Sequence, residues 1–153
     1  MEDAATSWEA RSAPPSDVKE ANAITGKEKS KSGKPSYRAV TLERYWSRAE
    51  LPQQETDALL LEHLDLQRRR LRAIGAPDFD IHLHLKSFWA RFEEVLPPRG
   101  SFYLAWSENG ALLGTAALRT VAPGIGEMKH LYLRPEARGL GLGQALVEAR
   151  VAD

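Results

Sequence analysis

Three glycines alternate with leucines near the end of the chain, and an arginine stands immediately before them. The stretch RGLGLGQAL places Arg138, Gly139, Gly141 and Gly143 at the start of a helical pattern. The first turn of a helix has unpaired backbone N–H groups and a partial positive charge. Glycine leaves these donors unobstructed, and the arginine adds a side-chain cation. The stretch therefore predicts a binding site for a phosphate-containing ligand, such as a pyrophosphate.

Two other phosphate-binding motifs do not fit the sequence. A dinucleotide-binding fold requires G-x-G-x-x-G directly after a strand, but Gln144 or Leu146 occupies the third glycine position, depending on where the count starts. The stretch TGKEKS resembles a phosphate loop, but Glu28 follows Lys27 where that motif has Ser or Thr. Neither motif is predicted to bind a nucleotide.

No metal centre is predicted. The chain has no cysteine, which excludes thiolate ligands and a cysteine nucleophile. His82 and His84 are two residues apart, a spacing that leaves a shared metal ion open, but no acidic residue has suitable spacing. Two histidines near a cleft are the favoured interpretation. The run of arginines at 68–70 is interpreted as a solvated helix end, with contact to a phosphorylated ligand as the alternative.

Composition restricts the class of partner. The 21 basic residues balance the 21 acidic residues, so no overall field attracts nucleic acid or a membrane surface. The apolar runs are far shorter than the ~20 residues that span a bilayer. The N-terminus, Met-Glu-Asp, lacks the apolar segment of a signal peptide. We therefore expect a cytoplasmic protein that binds neither nucleic acid nor membrane.

The chain divides near residue 35. Residues 1–35 contain one aromatic residue, Trp8, and are rich in small, polar and charged residues. Such a segment buries too little apolar surface to offset the entropy of ordering, so it is predicted to be a disordered tail. Residues 36–153 carry the apolar patterns of a folded domain.

The first half of that domain predicts a strand and helices. SYRAVTL reads as a strand, and residues 55–75 as a helix that ends at Gly75. Its predicted apolar stripe consists of Leu60, Leu64, Gln67, Leu71 and Ile74. Residues 79–85 alternate and predict an extended segment. A short helix follows, with its apolar stripe at Phe88, Phe92 and Val95.

The second half predicts three consecutive strands and a helix. SFYLAWS, ALLGTAALRTV and IGEMKHLYL are separated by turn signals, Asn-Gly in the first case and Pro-Gly in the second. The helix after the glycines has a predicted stripe of Leu142, Leu146 and Ala149. The fold class is therefore mixed α/β, with an antiparallel meander sheet flanked by helices.

The stretch GEMKHLYLRPEARGLGLGQAL resembles motif A of the GNAT acyltransferase superfamily, in which R-x-x-G-x-G corresponds here to Arg138, Gly141 and Gly143. The resemblance covers roughly residues 36–153 and is specific over residues 127–146. It implies an N-acetyltransferase with a GNAT-like fold. It also implies further strands and a helix after the third helix, so we expect this sequence to be a truncated chain that lacks the C-terminal part.

The resemblance implies a binding site for acetyl-CoA. The pyrophosphate would lie on the backbone amides of residues 138–144, that is Arg138, Gly139, Leu140, Gly141, Leu142, Gly143 and Gln144. The pantetheine arm would pair like a strand with Leu131, Tyr132 and Leu133. A bulge in that strand would direct the Leu131 N–H at the thioester carbonyl and stabilise the oxyanion of a tetrahedral intermediate.

The resemblance also implies direct attack by an amine on the thioester. Because an amine is protonated near neutral pH, it must first lose a proton to a base. Glu127 stands where several members of the superfamily carry a catalytic glutamate, and a raised pKa is expected for a partly buried carboxylate there. His130 is the second candidate. An ordinary strand-end carboxylate and a histidine that faces a neighbouring strand are the structural alternatives.

Two functional alternatives stay open at the level of sequence. One is a catalytically inactive remnant that binds CoA, and the other is an interaction module that holds an acidic partner through its charged tail or arginine run. The uncovered sheet edge of a truncated domain leaves a homodimer open as well. The amine acceptor is unknown, because no residue spacing identifies it.

Overall fold

The computed structural model describes residues 21–25, 39–139 and 141–151, with side chains for 40–139 and 141–148. Five antiparallel strands form one sheet in chain order. They are β1 (Ala21–Thr25), β2 (Ala39–Tyr45), β3 (Gly100–Ser107), β4 (Leu112–Ala122) and β5 (Ile125–Leu133). The helices are α1 (Gln53–Ala73), α2 (Ile81–Ala90) and α3 (Leu142–Val151). Short 3-10 turns lie at Arg48–Glu50, Phe92–Val95 and Pro135–Ala137.

Strand β1 lies within the segment predicted to be a disordered tail. Its five residues pair with residues 39–43 of β2 and form the edge of the sheet opposite β5. For these residues the structure differs from the sequence prediction, because the free edge of β2 supplies backbone partners that a composition argument does not count. The rest of the predicted tail, residues 1–20 and 26–35, lies outside the described residues.

Helix α1 ends as the sequence predicts, but its buried stripe is shorter. Gly75 has a positive φ of 80°, and the backbone N–H groups of Gly75 and Ala76 donate to the carbonyls of Arg72 and Leu71. Leu60 and Leu64 are buried, whereas Leu71 and Ile74 are 40% and 79% exposed. The C-terminal part of the predicted stripe is thus exposed, and the prediction was wrong for Gln67, Leu71 and Ile74.

Most of the extended segment predicted over residues 79–85 is instead helical, because helix α2 begins at Ile81. The Asp80 carboxylate accepts hydrogen bonds from the backbone N–H groups of His82 and Leu83, at 2.9 and 3.2 Å. An aspartate in this position is an N-cap, which satisfies donors that the first helical turn leaves free. The alternation of leucines and histidines predicted a strand, but the N-cap at Asp80 stabilises a helix instead.

The meander of three strands is confirmed. The β3–β4 turn contains Gly110 and the β4–β5 turn contains Gly124, and both have a positive φ that glycine adopts without strain. The sheet separates two apolar cores. Helices α1 and α2 cover the first, which includes Leu59, Phe92 and Phe102. Helix α3 covers the second, through Leu142 and Leu146.

Among the described helices, none combines the length and the apolar character that crossing a membrane would require.

Candidate active site

A β-bulge interrupts strand β5 at the candidate site. Thr115 of β4 pairs with Tyr132 and Ala117 pairs with Lys129, so both His130 and Leu131 lie opposite Ala116. The backbone of His130 has a φ of 51°, in the left-handed region. The extra residue reverses the alternation of side chains beyond it. Lys129 and His130 consequently line the same cleft, and Tyr132 lies in the core below α1.

A glycine turn connects β5 to helix α3. Gly139 and Gly141 have φ values of 82° and 79°, which non-glycine residues adopt only with strain. The backbone N–H of Ala145 donates to the carbonyl of Gly141 at 3.1 Å, so Gly141 caps the helix. A Cβ atom at either glycine would meet nothing within 4 Å. The space in front of the first helical turn is therefore open to a ligand.

Arg138 lies beside this turn. Its Nε donates to the backbone carbonyl of Leu133 at 3.1 Å, and its guanidinium carbon is 5.9 Å from the centre of the Tyr132 ring. This places a cation between the end of β5 and the start of α3. Gln144, in the first turn of the helix, bonds Glu148 through its side chain and keeps its backbone N–H toward the turn. Leu140 lies outside the described residues.

Gly143 differs from the other two glycines. It belongs to helix α3, and a Cβ there would lie 3.6 Å from Cδ1 of Leu133, an ordinary van der Waals distance. The fold therefore tolerates a side chain at Gly143. Leu142, its neighbour, is buried in the second core and fixes the helix against the sheet. The structure thus brings together all the predicted phosphate-binding residues that it describes.

Glu127 is held in an ion pair. Its Oε2 atom lies 2.6 Å from Nη2 of Arg119 on β4, and its Oε1 atom lies 3.8 Å from Nζ of Lys129. The hydrogen bond from Arg119 holds the pKa of the Glu127 carboxyl below its usual range, and the charge of Lys129 acts in the same direction. The raised pKa expected from the sequence is therefore wrong, because the side chain is partly exposed and faces cations.

His130 occupies the bulge in a different environment. Burial lowers the pKa of its imidazole to about 4, and the neighbouring His63 contributes to the decrease. Its ring centre lies 4.7 Å from that of Phe88 and 5.8 Å from that of His63. Its Nδ1 atom is buried and has no hydrogen-bond partner within the described part of the chain. His130 thus packs against the helices of the first core rather than a neighbouring strand, and its catalytic role stays a prediction.

A cleft of about 220 Å³ lies between α2 and strands β4 and β5. Its apolar side is formed by Leu64, Phe88 and Val95, and its polar side includes Glu94, Arg119, Lys129 and His130. His84 also lines the cleft, whereas His82 lies on another part of the surface. Residues two apart on a helix point in different directions, so the two histidines do not share a metal ion.

The sequence analysis missed four residues that shape the site. Arg119 and Glu94 form an ion pair in the cleft, His63 packs on His130, and Arg134 binds the carboxylate of Glu62 through two nitrogen atoms at 3.1 and 2.9 Å. Arg134 also donates to the carbonyl of Leu112 and so fixes the end of β5 to β4 and α1. Arg119 approaches Glu127 through the register of β4 and β5, which the spacing of the two residues in the sequence does not show. The contacts of Arg134 and His63 join distant segments and leave no local pattern.

Comparison with known proteins identifies the family. A model of the Acetyltransferase (GNAT) family matches residues 68–152. The chain therefore belongs to the GNAT acetyltransferase family, as the sequence resemblance implied, and the predicted mixed α/β fold is confirmed.

Individual relatives match parts of the chain. The uncharacterized N-acetyltransferase C1271.07c of Schizosaccharomyces pombe (strain 972 / ATCC 24843) is 49% identical over 53 residues, which are 34% of this chain and 32% of that protein. The chain thus matches only 32% of the length of this relative. A crystal structure from Exiguobacterium sp. 255-15, provisionally described as an acetyltransferase, aligns with a TM-score of 0.48 and 21% identity, over 74% of this chain and 67% of that chain.

Proposed function

We propose that this chain binds acetyl-CoA and transfers the acetyl group to an amine by direct attack. The observation that carries this proposal is the glycine turn before α3. Gly139 and Gly141 have positive φ values, and a Cβ atom added at either residue would have no atom within 4 Å. The first-turn N–H groups of α3, up to Gln144, have no carbonyl partner within the helix and suit a pyrophosphate. Arg138 supplies a cation beside them.

The pantetheine arm is assigned to the edge of β5. This strand is the last in the described sheet, so its outer main-chain groups are available to an extended ligand. Leu131 lies in the bulge and is 39% exposed. We assign its backbone N–H to the carbonyl oxygen of the thioester, where a donor stabilises the charge that develops during acyl transfer. Tyr132 packs inward, and Leu133 packs toward α3.

Acetyl-CoA supplies the activated acetyl group, and the chain must supply a proton acceptor for the amine. His130 and Glu127 are the two candidates. His130 lies at the bulge and is neutral at neutral pH, because burial lowers its pKa to about 4. Glu127 is ionised, but its carboxylate is bound by Arg119, which weakens it as a base. We assign the proton acceptor to His130, which lies in the bulge beside Leu131, and keep Glu127 as the alternative.

A second candidate function is CoA binding without transfer. The observation that favours it is the ion pair between Glu127 and Arg119, which weakens the base that the family resemblance implies. The amine acceptor, a cytoplasmic location and a homodimer stay predictions.

Release of free thiol from acetyl-CoA in the presence of a panel of amines tests the transfer. We expect amine-dependent release, and we expect Arg138→Gln to raise the KM for acetyl-CoA at least tenfold. Arg72→Gln is the matched control, because Arg72 is exposed in the last turn of α1, away from the glycine turn. CoA binding without release of thiol for any amine would contradict transfer and favour the second candidate.

A further inference from the structure

The polar wall of the cleft is a continuous chain of ion pairs. Nη2 of Arg91 and Nη1 of Arg119 lie 3.0 and 2.8 Å from the same oxygen of Glu94. Nη2 of Arg119 then reaches Glu127 at 2.6 Å, and Nζ of Lys129 lies 3.8 Å from the other oxygen of Glu127. This series of ion pairs runs from the start of the Phe92–Val95 turn across β4 to β5, along one side of the cleft.

These five side chains do not balance their charges. Arg91, Arg119 and Lys129 are positive and Glu94 and Glu127 are negative, so one positive charge remains. The neighbouring His130 adds none near neutral pH, since burial lowers its pKa to about 4. A polar wall with excess positive charge repels a second cation on a ligand and attracts an anion.

Lys129 is the cation with the weakest internal partner. Its 3.8 Å distance to Glu127 is an ion pair beyond hydrogen-bond length, whereas both arginines make contacts of 3.0 Å or less. Its side chain is 33% exposed at the cleft. Arg119 additionally has a buried Nε with no partner among the side chains that the structure describes. Lys129 is therefore the cation of this wall that is most available to an anionic group.

The position of the excess charge fits the geometry of transfer. The proposed function places the thioester carbonyl at Leu131 and the proton acceptor at His130, so the attacking amine would lie next to this bulge. Lys129 is the residue before the bulge, and Arg119 pairs with Glu127, three residues and about 10 Å before it. An anionic group bound by Lys129 or Arg119 could therefore belong to the same small molecule as the amine.

We propose that the acceptor is a small amine that also carries a carboxylate, with Lys129 and Arg119 as the binding residues for that carboxylate. This inference rests on the proposed function and names its substrate class. The apolar side formed by Leu64, Phe88 and Val95 would contact the carbon skeleton of the acceptor. A polyamine or a lysine-rich protein segment is excluded by the same argument, because its additional positive charges would face Arg91, Arg119 and Lys129.

Equilibrium binding of matched ligands tests the inference without requiring turnover. Calorimetry on the full chain saturated with CoA would compare leucine with leucinamide and glutamate with glutamine. The first pair differs in the α-carboxylate and the second in a carboxylate at the end of a side chain. We expect the acid of at least one pair to bind at least tenfold more tightly than its amide, and we expect Lys129→Met to abolish this preference.

Lys86→Met is the matched control, because Lys86 is exposed on α2 and does not line the cleft. It should leave the preference unchanged. Equal binding of acid and amide in both pairs, no detectable binding of any of the four ligands, or a preference that survives in Lys129→Met would overturn the inference. The proposed function is tested separately on the same preparation, by the heat of CoA binding and by the release of thiol.

Discussion

The guanidinium of Arg119 lies 2.6 Å from the carboxylate of Glu127 across strands β4 and β5. The same guanidinium binds Glu94 at 2.8 Å, so one arginine connects two carboxylates at the cleft. This relationship changes the role expected of Glu127. A carboxylate that shares its charge with an arginine is a weaker base than one in an apolar pocket.

Removal of Arg119 should raise the pKa of the Glu127 carboxyl. In Arg119→Gln we expect the pKa of the Glu127 carboxyl to rise toward its ordinary value, because its first hydrogen-bond donor is lost. NMR titration of the glutamate side-chain carboxyls measures this directly. Arg99→Gln, at an exposed position, is the control. A Glu127 pKa that stays equally low in Arg119→Gln would show that Arg119 does not control it.

Glu94 should make the fold sensitive to acid. Hydrogen bonds from Arg91 and Arg119 lower its pKa from 4.5 to about 2. A carboxyl with a lowered pKa in the folded state stabilises that state above pH 4.5, and this stabilisation is lost as the pH falls toward 2. Urea unfolding between pH 5 and pH 2 should therefore show a smaller loss of stability in Glu94→Gln than in the wild type. Parallel loss in both proteins would contradict the ion-pair geometry.

His130 should make the fold sensitive to pH in a higher range. Its pKa falls from 6.5 in the unfolded chain to about 4 in the fold, so the unfolded chain binds more protons between these values. We expect the free energy of unfolding to fall by about 2 kcal/mol from pH 8 to pH 5 through this group. His130→Asn removes the titrating imidazole, and asparagine tolerates the left-handed backbone at this position. The free energy of unfolding of this variant should therefore depend less on pH.

His82→Asn is the control for that experiment, because His82 is exposed on α2. Urea denaturation at several pH values gives the comparison. An equal pH dependence of wild type and His130→Asn would show that burial of His130 does not shift its proton affinity.

The sequence predicted most of the fold because its signals are local. The Asn-Gly turn that contains Gly110, the stop at Gly75 and the glycines before α3 each require a backbone geometry that few residues adopt. The first half of helix α2 was missed because it depends on one residue, Asp80, whose side chain caps the helix. The pKa of Glu127 was predicted in the wrong direction because Arg119 approaches it through strand pairing, which sequence spacing does not reveal.

The glycines of the turn should differ in their tolerance of a side chain. Gly141→Ala should lower the free energy of unfolding by about 1–2 kcal/mol, because its φ of 79° is strained for alanine. Gly143→Ala should leave stability unchanged or slightly raised, since alanine is the better helix former and its Cβ would meet Leu133 at 3.6 Å. Urea unfolding of the two variants measures the difference. Equal destabilisation would contradict the assigned backbone conformations.

The most direct test of the account is calorimetric titration of the chain with CoA and, separately, with pantetheine, which lacks the diphosphate and the phosphoadenosine attached to it. If the amides that follow Arg138 and Gly139 bind the diphosphate, CoA should bind at least a hundredfold more tightly than pantetheine, and Gly141→Val should abolish the difference. Folding of that variant is checked by circular dichroism. An absence of heat with CoA, or equal affinity of wild type and a folded Gly141→Val for it, would contradict the central claim.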